Sequence, residues 1–153
     1  WRVSRALPEH LPAIAENMRE ADRREVWASH RHTPQEALEY ALGLSPLAWT
    51  CQVDGKPAFI WGAAREEFVI SQTGAPWLLA TESILKVRRE FLLYCPYYVQ
   101  WMHRRFARLE NIVHADNHLS IRWLKWCGFT VEEDAPETRN GEKFYLFWRE
   151  RDV

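Results

Sequence analysis

The stretch from Val113 to Phe129 holds a strand end, a capped helix and a glycine stop in one reading frame. Leu119, Trp123, Trp126 and Cys127 recur at helical spacing and form one apolar face. Asp116 or Asn117 can cap the exposed amides of the first turn, and Gly128 supplies the left-handed exit. One short amphipathic helix therefore follows a strand, which narrows what the rest of the chain can build.

The chain has 153 residues, 47% of them apolar, enough for one substantial core, so a single domain over residues 1–153 is expected. Basic and acidic residues nearly cancel, 20 against 21, so no overall field favours direct nucleic-acid binding or an anionic membrane. No run approaches the roughly 18 apolar residues of a membrane span, and the start, Trp1 to Arg5, does not read as a signal peptide. Cys51, Cys95 and Cys127 sit apart among apolar neighbours, which suits reduced, buried thiols in a cytoplasm better than a disulfide frame or a zinc site. The 9 tryptophans are unusual for this size; most are expected in the core, but an aromatic excess also suits docking on a partner.

Trp1 to Leu7 alternates as a first strand, and Pro8 opens a helix with apolar positions Leu11, Ile14, Ala15, Met18 and Ala21. Thr33, Pro34 and Glu36 form a capping box for a second helix that runs to about Leu44. Asp54-Gly55 joins Ala48–Val53 to Pro57–Ala63 as a hairpin. After the turn-like Gln72-Thr73-Gly74, Pro76 to Thr81 reads as a fourth strand, while Phe68-Val69-Ile70 belongs to the third strand or to a short one of its own. A helix begins at Ser83, Pro96 ends or kinks it, and Tyr97 to Phe106 is a second helical piece. Leu109–His114 is a fifth strand, with Thr130–Glu132 and Phe144–Trp148 as closing strands. The last is apolar at consecutive positions and so lies inside the sheet. Glu133 to Glu142 reads as a mobile loop around Asn140-Gly141.

Asn117, Ser120, Ile121, Arg122, Leu124, Lys125, Gly128 and Phe129 stand in the order of the final block of GNAT acetyltransferases. The chain resembles that family, particularly its ribosomal-protein N-acetyltransferase type. The resemblance implies an α/β (α+β) fold: a mixed, mostly antiparallel sheet of about six to seven strands with about four helices, ordered β-α-α-β-β-β-α-β-α-β-β. It implies acetyl-CoA clamped in the splay between the fourth and fifth strands, with an amine of a protein or small molecule as acceptor. Two departures stand out. The glycine-rich turn whose amides cradle the pyrophosphate is replaced by Thr81 to Arg89, without a glycine. The tyrosine that protonates the departing thiolate is replaced by Leu124, which leaves Tyr94, Tyr97, Tyr98 and Tyr145 as substitutes.

From Pro57 to Trp148 these departures resemble the GNAT-like internal virion protein A of short-tailed bacteriophages, through the basic helix from Lys86, aromatic Tyr97, Tyr98 and Trp101, and the run Gly141 to Phe147. That likeness implies a phage protein acting in the host cytoplasm or in the particle. It is either an N-acetyltransferase or a degenerate binding module for a phage or host protein.

Under the enzyme reading, the resemblance puts the cofactor on Leu79, Ala80, Thr81 and Ser83, with charge from Lys86, Arg88 and Arg89 and with Asn117 and Ser120 across the splay. Amine chemistry needs a nearby carboxylate or imidazole, for which Glu82, His114 and Asp116 are the candidates, followed by Glu66 and Glu67. His114 and His118 are four apart but fall on different elements, so no metal is expected. His30-Arg31-His32 reads as a solvated loop, which the resemblance places over the acceptor site, and Arg23-Arg24 reads as a solvated helix face. A module would plug the splay with Trp77, Leu79 or Trp123, whereas an enzyme leaves it open.

Overall fold

The structure, a computed structural model, describes residues 1–65 and 72–152. Its strands are β1 (Arg2–Arg5), β2 (Leu47–Val53), β3 (Lys56–Arg65), β4 (Thr73–Ala80), β5 (Arg108–His114), β6 (Thr130–Val131), β7 (Glu137–Arg139) and β8 (Glu142–Glu150). Its helices are α1 (Leu11–Glu16), α2 (Glu20–His30), α3 (Pro34–Leu44), α4 (Arg88–Arg105) and α5 (His118–Trp126). The strands form one sheet in the order β1-β2-β3-β4-β5-β8-β6, with β7 also paired to β8. Every pairing is antiparallel except β4 with β5, so the expected mixed, mostly antiparallel α/β class holds.

Local signals and structure agree where the chemistry is local. Asp54 and Gly55 both take positive φ, 53° and 76°, as a two-residue hairpin turn requires. Thr33 accepts from the Glu36 amide while the Glu36 carboxylate accepts from the Thr33 amide at 2.9 Å, so α3 begins with the expected capping box. Strand β8 has neighbours on both sides, which explains its consecutive apolar residues.

Three elements differ from expectation because tertiary contacts override a local pattern. The first helix does not run from Pro8 to Ala21. It breaks at Asn17–Arg19, where Met18 bridges to Thr81 and the Arg19 amide donates to the Ala80 carbonyl at 2.8 Å; α2 then starts afresh. Of the two outcomes expected at Pro96, an end or a kink, it does not end the helix, since α4 runs through it, and residues 97–105 are part of α4, not a second piece. The lost hydrogen bond and ring clash cost about 3 kcal/mol. Burial of Phe91, Val99 and Met102 on the inner side of α4 gains about 1.5–3 kcal/mol each and outweighs it. Glu133–Glu142 is not a free loop. Asn140 and Gly141, φ 49° and 79°, turn β7 back onto β8, and Asn140 Nδ2 donates to the Ala28 carbonyl at the end of α2, 2.6 Å away.

Thr73 and Gly74, expected with Gln72 as a turn, instead begin β4. Gly74 is required there because a Cβ would lie 2.4 Å from the Phe106 ring. The reading of Phe68-Val69-Ile70 falls outside the described residues.

Two apolar clusters cover the faces of the sheet. Leu11, Ile14, Val26 and Leu38 from α1, α2 and α3 pack on Ile60 and Leu79. On the other face Phe91, Val99 and Met102 of α4 and Ile121 and Trp123 of α5 pack on Phe59, Trp61, Leu109 and Val113. Cys51, Cys95 and Cys127 are free thiols. Among the described residues no helix is long and apolar enough to cross a membrane.

Candidate active site

Strands β4 and β5 are in register only at Thr73 with Arg108 and at Gly74 with Leu109. Beyond that they separate, and the sequence explains where. The Thr81 amide donates to Ala58 of β3, so by alternation residues 76, 78 and 80 turn their backbone toward β5. At the first of these stands Pro76, which has no N–H to continue the ladder. At the next rung the Asn111 side chain enters the gap: its Nδ2 donates to the Pro76 carbonyl at 2.9 Å and its Oδ1 accepts from the Ile112 amide at 2.8 Å. A side-chain amide thus replaces a direct bond between strands and holds them apart.

The wedge opens into a cavity of about 430 Å³ that reaches both faces of the sheet. On the α2 and α3 face Glu25, Ser29, His30, His32 and Tyr40 line it. On the α4 and α5 face the wall is formed by Phe91, Val99, Met102, Trp123, Cys127 and Phe129. Burial, and then the neighbouring His32, lowers the His30 pKa, which favours a neutral imidazole. The Cys127 thiol donates to Cys95, and this contact together with burial pushes the Cys95 thiol well up, so Cys95 stays protonated. Trp61 also lines the cavity, and its buried Nε1–H has no acceptor among the described residues, a deficit of about 1–3 kcal/mol.

At the open end of the wedge two carboxylates of α2 meet the start of α5. Asp22 Oδ2 accepts from the Ala80 amide at 3.0 Å and its Oδ1 pairs with Arg19 at 3.2 Å. Asn117 Nδ2 donates to Asp22 Oδ1 at 3.1 Å and to Glu25 Oε2 at 2.7 Å. The Asn117 Oδ1 on the other side of that amide is buried and has no partner among the described residues. Burial pushes the Asp22 carboxyl up to about 6 against the opposing pull of Arg19. Burial, followed by repulsion from Asp22, pushes Glu25 up to about 8, although Asn117 and the His114 amide hydrogen-bond it. Glu25 is therefore a carboxyl in the cavity wall that takes or releases a proton near neutral pH.

Asn117 occupies the N-cap position of α5 but makes no side-chain cap, because its amide is committed to Asp22 and Glu25. Ser120 and Leu79 line the cavity, as does Leu124 at the place of the missing tyrosine. Ala80 has its amide and carbonyl taken by Asp22 and Arg19, and Thr81 gives its hydroxyl to Ala58 at 2.7 Å. Glu82 is exposed and Ser83 half-buried in a 3-10 turn, Glu82–Val87, that stands where the glycine turn would be. Lys86 pairs with Asp54 at 3.2 Å, and Arg88 and Arg89 lie exposed at the start of α4. His114 is buried with both ring nitrogens engaged, Nδ1 accepting from the Asp116 amide and Nε2 donating to Glu142 at 2.7 Å. Asp116 is exposed and pairs with Arg24 at 3.1 Å, so the wedge brings His114 close through its backbone and leaves Glu82 and Asp116 outside the cavity wall. Glu66 and Glu67 lie outside the described residues. Tyr94 and Tyr97 are exposed, while Tyr98 packs edge-on against Trp49 and Trp61.

Asp22, Glu25 and Asn111 are the residues the sequence reading missed. A signal existed for the acids: Asp22, Glu25, Val26 and Ser29 fall at i, i+3, i+4 and i+7, so two carboxylates share the apolar stripe of α2.

The backbone of this open sheet, flanked by helices on both faces, superposes on those of known acetyltransferases. The yncA protein of Salmonella typhimurium, solved with its cofactor acetyl-CoA, superposes with a TM-score of 0.70 at 13% identity, over 99% of this chain and 94% of that one. The fold is the GNAT fold. A GNAT-family acetyltransferase from Streptococcus pneumoniae matches with a TM-score of 0.64 at 14% identity, over 99% of both chains. A ribosomal-protein-alanine N-acetyltransferase from Brucella melitensis matches at 0.69 and 9% identity, over 98% of this chain and 99% of that one. No family model matches the sequence, and no curated protein does. The likeness to the GNAT fold thus lies in backbone architecture, and at these identities the side chains must speak for the chemistry.

Proposed function

We propose that this protein is an acyl-CoA-dependent N-acyltransferase of the acetyltransferase type. The observation that carries this reading is a cavity that passes through the sheet at the β4/β5 wedge with a carboxyl poised near 8, Glu25, in its wall. The donor supplies an activated thioester. The wedge fits it, because Leu78 turns its N–H and C=O into the gap and the Trp61 Nε1–H awaits an acceptor. Arg88 and Arg89 at the start of α4 would hold its phosphates in place of a glycine turn.

The acceptor amine enters from the α2 and α3 side, past His30, His32 and Tyr40. Glu25 takes the proton that the amine gives up as the nitrogen–carbon bond forms and the carbon–sulfur bond breaks. The Leu78 amide steadies the negative charge on the carbonyl oxygen. With Leu124 in place of a tyrosine, the thiolate leaves without a dedicated acid and gains its proton from solvent, as a thiol of ordinary pKa near 8.5 permits.

Openness of the wedge favours an enzyme over a plugged binding module, since Trp77, Leu79 and Trp123 stand in the cavity wall and leave the space between them free. The setting of a phage-encoded transferase, acting in the host cytoplasm or carried in the particle, rests on the sequence resemblance alone. The test is thermal unfolding with and without acetyl-CoA, followed by thiol release in the presence of N-terminal peptides and small amines. A ligand bound only by the native state raises the melting temperature. No shift at millimolar acetyl-CoA and no thiol release would end this reading.

A further inference from the structure

Helix α4 turns Phe91, Cys95, Val99 and Met102 to the cavity, and on its opposite side it leaves Leu93, Tyr94, Tyr97 and Trp101 exposed. Positions 93, 97 and 101 recur every four residues with 94 beside them, so the four side chains form one outer stripe about 12 Å long. Trp1 widens it at one flank, its ring 5.8 Å from that of Tyr94. Trp126 of α5, 59% exposed, widens it at the other by donating to the Leu92 carbonyl at 2.8 Å. Apolar side chains exposed singly need no explanation, but a contiguous belt of six marks a docking surface.

Charge around the belt has one sign. Arg104 and Arg105 close α4 within a turn of Trp101, and Arg122 stands one turn before Trp126 on α5. All three are exposed and make no ion pair among the described residues. The half-buried Glu90 is the only acid on α4, and α5 has none, although the chain as a whole carries a net charge of -1. The partner is therefore anionic, and the spacing of charge selects its kind. A strand of nucleic acid needs cations along its backbone and a ring for each base. Here α4 exposes no charge between Glu90 and Arg104, about 20 Å of helix, and its most exposed apolar position, Leu93 at 64%, offers a base no ring. A lipid interface takes this pattern: leucine and amphipathic aromatic rings in the middle, arginines at the rim to meet headgroup phosphates.

We propose that the outer face of α4 docks on an anionic phospholipid bilayer, with α4 lying in the plane of the interface. Leu93, Tyr97 and Trp101 sink among the headgroups, while Arg104, Arg105 and Arg122 pair with phosphates. The helix lies on the bilayer without crossing it, and the face stands independently of the transferase reading because none of these side chains lines the cavity.

The experiment is flotation of the full chain with vesicles of phosphatidylcholine alone and of phosphatidylcholine mixed with phosphatidylglycerol, at low and at high salt. The chain should float with the mixed vesicles, stay behind with the neutral ones and detach as salt rises. Leu93→Asp sets a charge in the middle of the belt and should weaken binding at least about tenfold. Arg104→Ala and Arg105→Ala should each weaken it about fivefold. No flotation with mixed vesicles, equal flotation with both kinds, or undiminished binding by the folded variants overturns the proposal. A dimer that Leu93→Asp dissolves, or retention on polyuridylate, in a chain that does not float also overturns it, in favour of a second copy or a nucleic-acid strand. Should Leu93→Asp fail to fold, the two lipid compositions and the arginine variants decide.

Discussion

Asn117 reaches from the start of α5 to Glu25 on α2, its Nδ2 2.7 Å from Oε2, and so ties the helix that follows β5 to a carboxyl raised to about 8. The same amide group holds Asp22, whose charge keeps Glu25 protonated to higher pH than burial alone would. One asparagine thus links the open end of the wedge to the raised carboxyl in the cavity wall.

Glu25→Gln should fold and still respond to acyl-CoA but lose turnover by about 100-fold or more, the usual contribution of a positioned base. In the unaltered protein kcat/KM should rise with pH through about 8, the value to which burial and Asp22 push Glu25. A pH profile that stays flat from about two units below 8 to about one unit above it, or full activity in Glu25→Gln, would remove Glu25 from the mechanism.

Asp22→Asn removes the repulsion that raises Glu25, so the midpoint of the same profile should move toward acid. The side chain remains able to accept from the Ala80 amide, while Arg19 loses its charged partner. A midpoint that stays put would show that burial alone sets the Glu25 pKa.

Stability should fall as pH rises. Glu25 binds its proton more tightly when folded, about 8 against 4.5, and so does Asp22, about 6 against 3.8. The native state therefore holds more protons than the unfolded chain in that window, and its advantage is full below the lower values and lost as pH climbs through the upper ones. Urea midpoints measured from acid to alkaline pH should decline, and Glu25→Gln should flatten the decline above neutrality.

Asn111→Leu leaves the Pro76 carbonyl and the Ile112 amide without their partner, a loss of about 1–3 kcal/mol in urea unfolding. Because the amide also spaces the strands, the melting shift with acyl-CoA should shrink as well. An unchanged shift would mean the wedge holds its width by other means.

Gly74→Ala puts a Cβ 2.4 Å from the Phe106 ring at the point where β4 and β5 last pair. Overpacking of this kind costs about 1–3 kcal/mol. Phe106→Leu in the same chain should recover part of that loss, and failure to recover would show that the glycine serves backbone freedom instead of space.

Much of the fold was legible because its signals are local. The Asp54-Gly55 turn, the Thr33 capping box, the Gly128 exit and the place of β8 inside the sheet each follow from residues within a few positions of one another. The readings that failed were those in which a distant partner competed with the local pattern. Met18 and Arg19 break a periodic helix to pair with the end of β4, and Asn140 closes a hairpin onto α2. Asn117 shows both sides: its place at the head of α5 is written in the sequence, but its side chain forgoes the cap for carboxylates 92 and 95 residues away.

By itself, then, the sequence determined most of the strands, caps and turns and the two-faced apolar patterning, since period and turn chemistry are properties of neighbouring residues. Tertiary structure decided the site. The Glu25 carboxyl is unremarkable until α2 buries it beside Asp22 against the open wedge, because desolvation and charge repulsion depend on distance in space and not along the chain.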